Sequence, residues 1–118
     1  MKTTNYDKVF NYTFSAVYPL YITKIEKKGR TIEELNKVIE WLTGYNDKKL
    51  EEIINNKITL EQFFKNASVN PNSSKITGII CGVRVEDIDD KLMQLIRYMD
   101  KIIDELAKGK KLEKIFRE

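Results

Sequence analysis

Val85, Ile88, Leu92, Leu95, Met99, Ile102 and Leu106 follow one another at alternating steps of three and four residues. This is the a/d spacing of a helix that buries one stripe against other helices, and it is held for three heptads. A period-2 strand has no use for such a run, so the last third of the chain is expected to form a long helix packed on helices. Ile96 and Ile103 widen the stripe on one side. An apolar face of that width suits a bundle core better than a bare two-stranded coil. Leu95, Met99, Ile102 and Leu106 are its candidates for an interface with a second copy or another protein.

The other helices are marked by their caps. The N-terminus is expected to be loose to about residue 11, followed by a helix over 15–28. Pro19 is placed in its first turn, where the missing N–H removes no helical bond. Tyr18, Tyr21, Ile22 and Ile25 form the stripe, and Gly29 supplies the C′ residue. Thr31 and Glu34 are spaced as a capping box, opening a helix that buries Ile32, Leu35, Val38, Ile39 and Leu42 before Gly44. A short helix from Asn46 or Asp47 buries Leu50, Ile53 and Ile54. After a turn at Asn55-Asn56, Thr59 and Gln62 repeat the box, and Leu60, Phe63 and Phe64 face inward. Residues 68–74, with Asn70-Pro71-Asn72, read as an ordered loop.

Residues 76–85 are two-sided. Ile76, Ile79, Ile80 and Val83 have helical spacing and favour a short helix from Ser73 or Ser74. Gly78, Gly82 and the β-branched content leave a bend or short strand open. The last helix is expected to start between residues 87 and 90 and run to 108, with Ile115 and Phe116 packing back. The fold is therefore read as all-α, one small helical bundle over residues 1–118. The alternative is a mainly α chain with a short strand near 76–85.

Bulk properties exclude more than they assign. With 118 residues, 42% hydrophobic and 33% charged, the chain can bury one core of its own. A net charge of +3 is too mild to indicate a nucleic-acid protein. The basic tail of Lys108, Lys110, Lys111, Lys114 and Arg117 is as well explained by the dipole of the last helix. One cysteine permits no internal disulfide, and no signal-peptide h-region or bilayer-length apolar run is present. A reducing cytoplasmic setting without membrane association is expected.

There is no histidine. A Ser-His-Asp or Cys-His site within the chain is thereby excluded, and so is a structural zinc site. No catalytic residue, metal or cofactor is assigned, and the chain leans away from enzymes. Cys81, among isoleucines and without a cation on its face, reads as a buried, inert thiol. Glu86, Asp87, Asp89 and Asp90 read as helix-capping acids more readily than as a cation site. Tyr18, Tyr21, Trp41 and Tyr45 read as packing aromatics, with Tyr45 the best placed for a ligand. The sharpest ligand hypothesis sets Arg84 to bind a carboxylate or phosphate, with Glu86 and Asp87 beside it and Tyr45 and Asn72 contributing. Its plainer rival is a tight connector in which Arg84 pairs with a local acid.

Several segments together resemble a bacterial family, domain of unknown function 2200. They are Ser15-Ala16-Val17-Tyr18-Pro19-Leu20-Tyr21, Trp41-Leu42-Thr43-Gly44-Tyr45, Ile76-Thr77-Gly78 on to Ile88, Arg97-Tyr98 with Asp100-Lys101, and Asp104-Glu105-Leu106-Ala107-Lys108-Gly109-Lys110. The resemblance runs from about Tyr12 to Arg117. One departure is Lys91, where the family usually carries a proline, which would stand at N1 of the last helix. The resemblance implies a small bacterial cytoplasmic protein and carries over no activity or site residue. Three functions follow, in order: a helical module binding itself or a protein partner; a small-ligand binder, or less readily an enzyme, centred on residues 76–87; and nucleic-acid binding through the tail.

Overall fold

The computed structural model describes residues 6–118. Seven helices appear in the order α1 (Tyr6–Phe10), α2 (Phe14–Glu26), α3 (Ile32–Thr43), α4 (Asp47–Asn55), α5 (Leu60–Lys65), α6 (Lys91–Ala107) and α7 (Leu112–Ile115). Between α5 and α6 lie a 3-10 turn at Pro71–Lys75 and a two-stranded hairpin, β1 (Ile79–Ile80) and β2 (Val83–Arg84). A second 3-10 turn follows at Val85–Asp87. The protein is mainly α, and the small hairpin is its strand content among the described residues.

Side-chain caps begin the helices where the backbone has donors to spare. Thr31 accepts from Glu34 N while the Glu34 carboxylate accepts from Thr31 N, completing the capping box. Asn46, Thr59 and Asp90 accept from Lys49 N, Gln62 N and Met93 N at 2.9, 3.2 and 2.9 Å. Lys91 stands at N1 of α6, directly after its cap. At the other end of α3, Gly44 adopts a left-handed φ of 80°. A Cβ there would come within 3.3 Å of the Ser68 Cβ, so glycine also lets the returning chain approach closely. Ser68 N and Asn70 N then donate to the Thr43 and Leu42 carbonyls, satisfying the orphan acceptors of α3.

Three expectations are corrected. Residues 6–10 of the supposedly loose N-terminus are helical; residues 1–5 lie outside the described set. The next helix begins at Phe14 with Thr13 as its cap, which places Pro19 inside the helix rather than in its first turn. The helix favoured within 73–85 is a hairpin instead. Ile79 pairs with Arg84 and Ile80 with Val83, and Cys81 and Gly82 turn the chain with φ of 52° and 80°. Two successive positive φ values define the type I′ hairpin turn and forbid a right-handed helix. Gly78, with φ of 112°, seals the base: its carbonyl accepts from Val85 N and its N–H donates to Glu86.

α6 is the centre of the bundle, packed by α2, α3, α5, α7 and the hairpin. Ile96, Met99, Ile102, Ile103 and Leu106 are buried, as the widened stripe requires. Val85 is buried too, although it precedes the helix, because the 3-10 turn returns it to the same core. Opposite them lie Phe14, Ile25, Leu35, Val38, Ile39, Leu42 and Phe63; Ile32 is instead exposed. Phe14 and Phe63 stack with ring centroids 4.6 Å apart. Above them Phe14 N donates to Ile58 O and Leu60 N to Tyr12 O, tying the start of α2 to the start of α5.

One ion cluster on α6 gives a pH prediction. Asp104 Oδ1 lies 3.1 Å from Lys24 Nζ, and Oδ2 lies 3.0 Å from Lys108 Nζ at an angle poor for a hydrogen bond. Burial raises its pKa, but the two lysines outweigh burial and hold the carboxyl below its ordinary value. A depressed folded pKa contributes stability above the ordinary aspartate range, lost as pH falls through the folded value. Wild-type protein should therefore lose, between about pH 5 and pH 2, an increment that Asp104→Asn lacks at every pH. With Lys108 in solvent the increment should stay at about 1 kcal/mol or below. Urea midpoints measured across that range check it; parallel curves for the two proteins would refute it.

Candidate functional site

Of the predicted ligand residues, Arg84, Glu86 and Asp87 stay together and Tyr45 and Asn72 lie elsewhere. Arg84 is half-exposed, its Nη1 3.5 Å from Glu86 Oε2, as the plainer reading has it. Glu86 also accepts from Gly78 N, the leading reason its carboxyl sits below the ordinary range. Arg84 and Asp87 do line an open concavity with Tyr6, Val83 and Ile88. Tyr45 is elsewhere: its ring meets Phe63 edge-on at 5.0 Å and its hydroxyl donates to Phe63 O at 2.7 Å. Burial raises its pKa. Asn72 donates to Arg117 O at 3.3 Å and belongs to the C-terminal contacts. Tyr18 stacks on Phe14 and Trp41 on Phe116, so the aromatics do not converge either.

The interface candidates divide. Met99, Ile102 and Leu106 have 0% exposure and belong to the core. Leu95 is half-buried and, with Leu92 and Phe64, lines a groove between α5 and α6.

A different set of residues meets at a cleft of about 320 Å³ between α1, α2, α5 and α6. Val9, Tyr12, Val17, Leu20, Leu60 and Ile96 give it apolar walls. Its polar lining is Tyr21, Arg97 and Asp100. Tyr21 donates to Asp100 Oδ1 at 2.6 Å, and Arg97 Nη1 donates to Asp100 Oδ2 at 2.7 Å. The same Nη1 lies 3.3 Å from Cys81 Sγ. Cys81 is thus exposed and beside a cation, which corrects the expectation of a buried thiol with none near.

Electrostatics act on two members of this row, Tyr21 and Arg97. Burial raises the Tyr21 pKa well above the ordinary value, and the Asp100 charge and hydrogen bond raise it further. Tyr21 is therefore a neutral donor, unavailable as a base. Burial alone would lower the Arg97 pKa, yet its bond and attraction to Asp100 leave it raised. The guanidinium stays charged. Asp100 spends both oxygens on neighbours. The set can hold a polar group, and Tyr21 enters it as a donor.

A larger concavity, about 610 Å³, lies against α3 and α4. Glu33, Glu34, Lys37, Glu40, Asp47 and Lys48 line it, and Leu112 is the one apolar lining residue. A wall made mostly of solvated charged side chains holds a small molecule poorly, so the smaller cleft is the better candidate. Among the described residues, no group of three or more Cys, Asp or Glu side chains is arranged to hold a metal ion. No helix there is long and apolar enough to cross a membrane.

Residues 8–117 match the model of a family described as "Uncharacterized protein conserved in bacteria (DUF2200)". The chain belongs to the DUF2200 family. It is also similar to the crystal structure of uncharacterized protein SP1917, with 44% identity and a TM-score of 0.87. That likeness covers 92% of this chain and 90% of the other. No curated protein matches the chain. In this DUF2200 chain the cleft draws Val17, Leu20 and Tyr21 from one segment of the resemblance and Arg97 and Asp100 from another. The hairpin segment brings Cys81 to Arg97.

The basic tail is largely occupied. Lys108 faces Asp104, while Lys110 and Arg117 face Glu105 at 3.5 and 2.8 Å. Nucleic-acid phosphates would have to compete with these carboxylates.

Proposed function

We propose that this protein is a small-molecule binding module whose site is the cleft between α1, α2, α5 and α6. The observation that carries the reading is the fixed Tyr21–Asp100–Arg97 row set into apolar walls. A few oriented polar groups in an otherwise apolar concavity are the usual makeup of a ligand pocket. The volume lies at the lower end of the range of about 300–1,000 Å³ for such pockets. Binding rather than turnover is favoured, because the tyrosine is held neutral and the carboxylate is doubly engaged. An exposed free thiol fits a reducing cytoplasmic setting.

A second reading is self-association or partner binding through the groove of Phe64, Leu92 and Leu95. It rests on Leu95, the one interface candidate that is not fully buried. Native mass spectrometry of protein purified gently from its own host separates the two. The expected result is a monomer carrying a small adduct. Val17→Trp, which fills the cleft from its wall, should lose that adduct while remaining folded. A dimer or hetero-complex without adduct favours the groove, and a bare monomer goes against the cleft.

A further inference from the structure

The hydrogen-bond inventory of the cleft is lopsided. Asp100 accepts from Tyr21 on one oxygen and from Arg97 on the other, so each oxygen already has a donor. The Tyr21 proton is committed to the same carboxylate. Arg97 directs only Nη1 at its neighbours, and among the described residues Nε and Nη2 have no hydrogen-bond partner. Those two nitrogens form the side edge of the guanidinium, with two roughly parallel N–H vectors. The same edge of Arg30 grips the Glu34 carboxylate bidentately, at 3.1 and 3.0 Å. The Arg97 side chain is 25% exposed and its Asp100 partner 17%, so the guanidinium is held by its ion pair and lines the cleft while partly open to solvent.

Resting on the cleft as a ligand site, we propose that its ligand is a monocarboxylate with an apolar body, the carboxylate gripped by the Nε/Nη2 edge of Arg97. An amine would meet a carboxylate that already has two donors. A phosphate dianion would face one guanidinium already neutralised by Asp100, with no second cation lining the cleft. A carboxylate brings a single charge and accepts two parallel donors side by side, and those two donors are what remain on Arg97. The apolar body would lie along Val17, Leu20 and Leu60.

The test uses the full chain, isotopically labelled, titrated with octanoate and phenylacetate and separately with the uncharged octanamide and phenylacetamide. Each carboxylate should bind about tenfold or more tightly than its amide, shifting the Leu20 and Leu60 methyl signals and the Arg97 Nε–H signal. Arg97→Lys, which keeps the charge but loses the fork, should weaken the carboxylates toward the amides and leave the amides unchanged. Equal affinities within a pair, with the methyl signals still moving, would overturn the carboxylate assignment and leave the cleft reading standing. No methyl shift with any of the four would remove both. Because the wild-type comparison needs no variant, a folding defect in Arg97→Lys cannot obscure the result.

Discussion

Met99→Asp should unfold the protein. Met99 has 0% exposure and sits on the buried face of α6, among Ile96, Ile102, Ile103 and Leu106. An ionised carboxylate placed there has no cation or donor within the stripe to meet it. Burying an unpaired charge costs several kcal/mol, and the lost methionine contacts add about 2–3 kcal/mol. Native stability is of the order of 5–15 kcal/mol, so the sum consumes most or all of it. Circular dichroism should show loss of helix at temperatures where wild type is folded. Leu95→Asp is the control. Leu95 is half-buried at the α5–α6 groove, where a carboxylate can turn to water, and the cost should be about 1–2 kcal/mol with the fold kept. If Met99→Asp stayed folded and changed only the association state, the heptad stripe would be an interface after all.

That contrast marks how far the sequence reached. Alternation by three and four reveals that a helix face is buried, and is silent about whether the partner is the same chain. Here α2, α3 and α5 take up the stripe, and the three fully buried candidates among its interface residues become core. Local rules fared best where the physics is local. Thr31 with Glu34, Asn46 and Asp90 cap the helices they were read to start, since a side chain and an amide three residues on need no tertiary contact. At residues 76–85 the favoured helix failed and the alternative short strand held, because the isoleucine spacing suited a helix while the backbone turned on Gly78, Cys81 and Gly82 in the left-handed region. Cysteine carries no preference for that conformation, so the Cys81-Gly82 turn left a weaker trace than Asn-Gly would.

The cleft was harder still. Arg97 and Asp100 look like an ordinary helix-surface ion pair, and Tyr21 looks like one more aromatic of a core stripe. Only the crossing of α2 over α6 makes them a single row, and only the turn at Cys81 brings the thiol to Arg97. Arg84 drew attention through its glycine neighbours, but those glycines serve the hairpin, and Arg84 is left facing solvent and Glu86.

Arg117→Ala should be the second most damaging change, at about 3 kcal/mol. Arg117 donates from both terminal nitrogens to Glu105, each at 2.8 Å, with the two side chains only 15% and 10% exposed. Removing the arginine leaves the shielded carboxylate with Lys110, which is 3.5 Å away and more exposed. The same residue anchors the end of the chain, accepting from Asn72 Nδ2 beside Phe116, whose ring stacks on Trp41 with centroids 6.2 Å apart. Denaturant unfolding should show the loss, and limited proteolysis should clip the C-terminus sooner. The pair's own worth is a separate matter, because desolvation offsets most of the attraction. Arg117→Met combined with Glu105→Leu should therefore cost much less than Arg117→Ala alone. If the double variant proved as unstable as the single one, the damage would lie in lost packing of the C-terminal turn rather than in a stranded charge. Glu105 lies five residues beyond Asp100, about 7.5 Å along the helix axis. Under mild conditions the truncated arginine should therefore leave ligand affinity in the cleft unchanged while it lowers stability.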